Sequence, residues 1–397
     1  MSQAYFLLFL IIFIIQGLGF PITFSLLTVI FLAIPCTMLI FYLKNKDIPE
    51  RLRTLFILFI GVSFVSLLAS VNLKSLIFYL LYIASFSAYI FTQRNQKLVS
   101  KFIVPFIFIA TFIFILASIL IENGILSAPL TGYQFVFSRF GSHNHLGDFL
   151  LLPLITLLYF LTSKKKSISL ITSQFLPYLL TINYLLLTLI LLPFFILSYS
   201  RSAYIGLVLT IIIMLYNFYK SKIQKINLNI IFALFIVFIS IIFTFSLSIN
   251  SGSEQFLKDI NHYLVANNSL HYKSPYGGRG EYVRESILST IDHPLLGVGP
   301  GNFIVASKEY ESIRGIWTET AHNIFLDILV ENGIPAGVIF ILIIFEMLRG
   351  AKKNLYFYLA LAMLFNFQVD YTYRIFPMLI LFFVLLALAN NRIMIKE

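Results

Sequence analysis

The sequence predicts an all-α integral membrane protein that crosses the bilayer about twelve times, and three observations carry that prediction. Of its 397 residues, 59% are hydrophobic and 11% charged, whereas a water-facing domain carries about 25% charged residues. Apolar runs such as Leu55–Leu68, Leu179–Leu197 and Ile230–Leu247 recur along nearly the whole chain, each close to the ~20 residues a helix needs to cross a bilayer. The basic residues fall in clusters at every second connection between runs, as the positive-inside rule expects of a polytopic protein. A spanning segment must satisfy its own backbone hydrogen bonds, so these runs are helices. They lack the apolar–polar alternation of barrel strands.

In chain order, spans are expected near 4–18, 21–43, 54–72, 75–93, 102–121, 147–162, 174–198, 202–219, 228–248, 323–347, 354–370 and 374–391. The first two are parted by Gly17-Leu18-Gly19-Phe20-Pro21, a tight-turn sequence. Met1-Ser2-Gln3 places no positive charge before the first run, which reads as an anchor rather than a cleaved signal. The basic clusters are Lys44, Lys46, Arg51 and Arg53, then Arg94, Lys97 and Lys101, then Lys164, Lys165 and Lys166. They continue with Lys220, Lys222 and Lys225, then Arg349, Lys352 and Lys353, then Arg392 and Lys396. This alternation expects an even number of spans and both termini in the cytoplasm. The net charge of +11 is thereby a matter of topology, and no nucleic-acid partner is expected. Cys36, the one cysteine, lies in an apolar run and has no intramolecular partner.

The opposite face carries two long connections, 122–146 and, between spans 9 and 10, 249–322. The second is too long for a passive link. Within it Val283, Ile287, Leu288 and Ile291 stand at helical spacing, so Arg279–Ile291 reads as a short helix on the membrane surface. The chain divides into N-terminal spans (1–134), a central region (135–350) that includes the 249–322 loop, and C-terminal spans (351–397).

The residues able to carry chemistry gather on this outer face. Arg201 is the only charge between Gln174 and Tyr219, among Ser198, Ser200 and Ser202, on the side where bases are disfavoured. It marks a polar cavity or, more plainly, snorkels to the head groups. Arg279 stands between Gly278 and Gly280, and an arginine fork suits phosphate oxygens; an exposed loop arginine is the plain alternative. His322 opens a span and suits a general base, or is an interfacial histidine beside the cap Asn323. Arg139, His143 and His145 precede another span. The two histidines lack a third clustered ligand, and helix capping by Ser142 or Asn144 explains the segment more simply. Gly297-Val298-Gly299-Pro300-Gly301 lacks a strand–helix context and reads as a turn. No Asp-x-Asp pair occupies an outer connection, so no metal is expected. Arg284, Arg374, Asp370 and Tyr371 lie on the same face.

Taken in order, Ser200-Arg201-Ser202-Ala203, Gly278-Arg279, Pro294-Leu295-Leu296-Gly297-Val298-Gly299-Pro300-Gly301-Asn302-Phe303 and Ala321-His322-Asn323-Ile324-Phe325-Leu326 resemble the O-antigen ligase superfamily of ligases, polymerases and bacterial protein O-oligosaccharyltransferases. His322 and Asn323, nine residues and Gly333 meet its ligase pattern; Ala336, with Gly337 beside it, stands where a further small residue is usual. The likeness covers about residues 135–345. It implies a C-type glycosyltransferase-like fold in a bacterial inner membrane, with the active site on the periplasmic side. The implied donor is a glycan on undecaprenyl diphosphate, the implied acceptor lipid A-core or another glycan, and neither metal nor cofactor takes part. Arg201 and Arg279 would bind the diphosphate and His322 would activate the acceptor hydroxyl. Arg139, His143, His145, Arg284, Asn323 and Arg374 are the further candidates for substrate contact. Polymerase and protein O-glycosylation readings stay open, the single Arg139 in the earlier outer loop favouring a ligase. A transporter or flippase is the rival from another class, but the charges cluster on connections rather than at mid-span.

Overall fold

The computed structural model describes residues 11, 14, 48–70, 72–122, 139–162, 175–198, 200–220, 278–312 and 317–390. Among them every regular element is helical: α1 (Glu50–Ser70), α2 (Leu73–Arg94), α3 (Gln96–Glu122), α4 (Arg139–Thr162), α5 (Phe175–Leu197), α6 (Arg201–Lys220), α7 (Gly278–Asp292), α8 (Phe303–Tyr310), α9 (Ile324–Gly350), α10 (Leu355–Asn366), a 3₁₀ turn (Thr372–Arg374) and α11 (Phe376–Ala389). Glu50–Ser70, Lys74–Arg94, Gln96–Leu120 and Ile324–Gly350 are long and apolar enough to cross a membrane; five shorter apolar helices accompany them. The protein is thus an α-helical, multi-pass membrane protein. Three expected spans, 4–18, 21–43 and 228–248, fall wholly or almost wholly outside the described residues. One boundary differs: α4 begins at Arg139, not near 147, so Ser142, Asn144 and their neighbours are helical rather than a cap before the helix.

The helices form two compact units that interleave along the chain. The first holds Phe102–Ile260 and two short pieces, Met1–Phe20 and Leu361–Phe365. Within it α4 is apolar on all sides from Phe149 to Leu158 and accordingly buried. Phe114 of α3 packs edge-on to Phe149 of α4, centroids 5.0 Å apart.

The second unit comprises Pro21–Lys101, Asn261–Ala360 and Asn366–Glu397. An aromatic stack ties four helices together. Phe56 (α1) stacks on Phe86 (α2) at 4.3 Å, and Phe59 (α1) meets Phe86 at 5.5 Å and Phe340 (α9) at 5.7 Å. Phe383 (α11) closes on Phe86 at 5.4 Å. Each such pair adds about 0.5–1.5 kcal/mol to the burial of its rings. On the outer side of α1, Leu58, Phe64, Val65 and Leu68 are exposed at helical spacing, the arrangement a lipid-facing surface requires.

The helix ends in this unit sort by charge. At one end Glu346 Oε1 meets Arg51 Nη1 and Glu346 Oε2 meets Arg349 Nη2, both at 2.9 Å. There too Gln93 Nε2 donates to the carbonyls of Ala387 and Asn390, at 2.8 and 2.9 Å. The basic clusters at 51–53, 94–97 and 349–353 therefore share one end, as their alternation in sequence expects. At the other end lie α7, α8 and the start of α9.

A break in α9 joins that end to the spans. Gly333 has φ 81° and ψ 171°, and Pro335 follows. Proline has no N–H, so the ladder is interrupted. The turn 293–302 supplies the replacements: Val298 N donates to Val330 O (2.9 Å) and Gly299 N to Glu331 O (2.8 Å), while Ile334 N donates to Pro294 O (2.8 Å). Ser66 Oγ of α1 donates to Leu296 O at 2.6 Å and to Glu331 O at 2.9 Å. Gly299 (φ 97°) passes so close to α1 that a Cβ would stand 2.2 Å from Ser70 Oγ; one on Gly333 would stand 2.3 Å from Leu295 O. The glycine-rich segment is thus a structural turn, and its glycines answer to backbone conformation and close approach.

Candidate functional site

His322 occupies the corner where the chain enters α9. Its φ of 55° makes it the one non-glycine residue with positive φ among those described, a conformation costing about 1–2 kcal/mol unless its surroundings impose it. They do so on both sides. Asn323 caps α9, its Oδ1 accepting from Phe325 N (3.0 Å) and Leu326 N (3.1 Å), while its Nδ2 donates to Gln368 O (3.2 Å). Before the corner, Asp327 Oδ1 accepts from Ala321 N (2.6 Å) and Oδ2 from Thr320 Oγ1 (2.7 Å); Thr320 Oγ1 in turn accepts from His322 N (3.1 Å). The imidazole lies between two rings. Tyr282 of α7 stacks on it at 5.3 Å and 13°, and Tyr371 presents an edge at 4.8 Å and 86°. Such packing orients the ring.

Beneath the corner lies a buried charge network. Arg374 donates to Asp327 Oδ2 through Nε (2.8 Å) and Nη2 (2.5 Å), and through Nη2 to Glu331 Oε1. Tyr373 donates its hydroxyl to Asp327 Oδ2 (2.5 Å). Glu331 Oε2 accepts from Gly301 N at 2.8 Å, so the same carboxylate holds the glycine turn. Asp327, Glu331 and Tyr373 are all buried, and Arg374 nearly so. The guanidinium of Arg374 is therefore committed to two carboxylates, and its place is that of a buried counter-ion beneath His322. Asp370, four residues before Arg374, is fully buried and accepts from Tyr371 N at 2.6 Å.

α7 brings a second cation to this corner. Arg279 is exposed in its first turn, three residues before Tyr282, so the two share one helix face a turn apart. The stacking of Tyr282 on His322 thus sets Arg279 and His322 on one rim. Arg284 serves differently: Nη1 contacts Glu281 Oε1 (3.1 Å) and donates to Tyr310 O (2.7 Å), tying α7 to α8. Glu285, one turn on from Glu281, is fully buried. Burial pushes its pKa up to about 7; the Ser307 hydroxyl opposes the shift and the Glu281 carboxylate adds to it.

The first unit holds the remaining candidates. Ser200 caps α6, its Oγ accepting from Ala203 N at 3.2 Å. Ser200 and Ser202 both donate to Asp148 Oδ1 of α4, at 2.8 and 3.0 Å. Arg201, first residue of α6, is exposed beside this buried cluster. His145 is buried one turn before Asp148 on α4, and Arg139 and His143 lie in the first two turns of that helix. Among the described residues no group of three or more His, Cys, Asp or Glu side chains is arranged to hold a metal ion.

Sequence reasoning named Arg279, His322, Asn323, Arg374 and Tyr371 in the second unit but missed Tyr282, Asp327, Glu331 and Tyr373. A signal was present for two of them. Asp327 and Glu331 stand four apart on one face of an apolar span, where carboxylates persist only with a partner. Nothing in the sequence marked Tyr282 as the ring that would meet His322.

No protein of curated function matches the chain significantly. Residues 186–341 match the family model described as O-antigen ligase, a segment that runs from α5 to the middle of α9 and includes Arg201, Arg279, His322, Asp327 and Glu331. On that match, the chain carries a segment similar to the O-antigen ligase family.

Proposed function

We propose that the protein transfers a glycan from a polyprenyl diphosphate, undecaprenyl diphosphate in a bacterial membrane, to a hydroxyl of an acceptor glycan such as lipid A-core. The observation that carries this reading is the rim formed by α7 and the start of α9, where Tyr282 packs on His322 one turn from exposed Arg279. In the proposed reaction the His322 imidazole takes the proton of the acceptor hydroxyl. The oxygen attacks the anomeric carbon and the bond to the diphosphate breaks. Arg279 stabilises the charge left on the departing diphosphate; Arg201 keeps the diphosphate-binding role that the resemblance implies. No step calls for a metal. Around this chemistry we retain twelve spans, a catalytic region of 135–350, both termini in the cytoplasm, and a site on the periplasmic side of the inner membrane.

The test uses purified protein, a chelator and one undecaprenyl-diphosphate glycan, with lipid A-core in one tube and no acceptor in the other. One shifted band that needs lipid A-core supports the ligase, whereas a ladder without acceptor makes the enzyme a polymerase. Arg279→Ala and His322→Ala should each lose transfer at undiminished expression. Full activity in both variants would overturn the assignment.

A further inference from the structure

We propose that α7 and the turn after it lie sunk in one leaflet of the bilayer, with Val283, Ile287, Ile291 and Leu295 among the acyl chains. The first ground is an inversion of polarity. A helix lying against a protein in water buries its apolar stripe and shows its charges. In α7 the polar residues Glu281, Glu285 and Ser289 face inward, 4%, 0% and 0% exposed, while Val283, Ile287 and Ile291 are 42%, 53% and 65% exposed. Leu295 extends the outward row at 68%. The medium outside this face is therefore apolar.

The second ground is depth. The turn is pinned to α1 by the bond from Ser66 to Leu296. Ser66 lies four residues short of the end of α1, about 6 Å below it at 1.5 Å per residue. Interfacial helices sink about 5–10 Å into the boundary between head groups and acyl chains. The third ground is continuity. A cleft beside the turn is lined by Ala69 of α1 together with Leu295, Leu296 and Val305, with the pair His293 and Glu309 also on its wall, so the turn that continues the outward row of α7 adjoins the lipid-facing row that ends at Leu68. The occupant is thus the acyl region of the lipid that surrounds α1.

The position has a consequence for the site, one that rests on the transfer reading above. A helix at this depth sets Arg279, and His322 behind Tyr282, at the level of lipid phosphates. A diphosphate on a polyprenyl chain would then reach the rim by lateral diffusion, without lifting its tail from the membrane.

Trp317 is the sole tryptophan, so the inference is open to fluorescence. Ile287→Trp and, separately, Ile291→Trp would be made in a Trp317→Phe background and placed in nanodiscs of phospholipid brominated at carbons 6,7 or 11,12. Leu58→Trp on α1 is the lipid-facing standard. Immersion predicts that both α7 reporters lose at least half their emission to 6,7-bromolipid, less to the 11,12 isomer, and little to aqueous iodide. Quenching by iodide without quenching by bromolipid would put α7 in water and overturn the proposal. So would quenching by neither, the result if protein, including a second copy of the chain, covers the face. The readout needs no turnover: a quenched reporter alongside fully active Arg279 and His322 variants would refute the transfer mechanism and leave the immersion standing.

Discussion

Removing the guanidinium of Arg374 tests the charge network beneath His322. In Arg374→Met the carboxylates of Asp327 and Glu331, 2% and 1% exposed, lose their shared counter-ion. At 2.8 Å and an effective dielectric of 20, one such contact carries about 6 kcal/mol of attraction, most of it offset by the desolvation of the ions. The net cost of stranding buried charge is typically about 3–5 kcal/mol. Two carboxylates share this one cation, so the upper part of that range applies. Equilibrium unfolding in mixed micelles, followed by Trp317 fluorescence, would measure it. The triple variant Arg374→Met, Asp327→Asn, Glu331→Gln removes all three charges and should recover more than half of the loss. A loss below ~1 kcal/mol in the single variant, or a triple variant no better than the single, would refute the counter-ion argument.

Three further outcomes follow from the same geometry. Tyr282→Ala removes the ring stacked on His322 and should lower kcat about tenfold with donor KM little changed, whereas Tyr282→Phe keeps the stack and should stay near wild type in a transfer assay. Gly299→Ala must hold φ 97° with its Cβ 2.2 Å from Ser70 Oγ, and should cost about 2 kcal/mol or more in thermal unfolding. Glu285, with a pKa raised to about 7 by burial, binds more protons folded than unfolded between about pH 4.5 and 7. Its contribution is full below the unfolded pKa and is lost as pH rises through 7. Glu285→Gln should therefore flatten the fall of melting temperature across that window and raise it above pH 7.

What was legible in the sequence was what repeats or what is costly. Long apolar runs and alternating basic clusters placed α1, α2, α9 and α11 within a few residues, because a bilayer tolerates few other patterns. The α7 helix was visible from the spacing of Val283, Ile287 and Ile291, and His322 and Arg279 from their place beside glycines and a span start. The start of α4 was not, since Arg139–Asn144 is too polar to read as part of a span although it is helical. Nor was the fate of Arg374. A single arginine at a span edge looks the same whether it faces a ligand or a buried carboxylate, and only folding brings Asp327 and Glu331 to it. Tyr282 was unmarked for the same reason: it lies 40 residues from His322, and stacking between distant rings leaves no local periodicity.

The break at Gly333 bears on the order in which this protein assembles. The amides of Val298 and Gly299 close the backbone ladder of α9 where its own residues cannot. Until that turn docks, the carbonyl of Val330 faces a medium that offers no hydrogen, at a cost of several kcal/mol, and that of Glu331 keeps only the Ser66 hydroxyl of α1. A span made of two half-helices is thus incomplete without a segment that precedes it in the chain. Insertion of α9 and docking of the turn should then be one cooperative event, and a protease cut between Asp292 and Asn302 should release amide protection in α9 itself, a transmembrane helix it never touches.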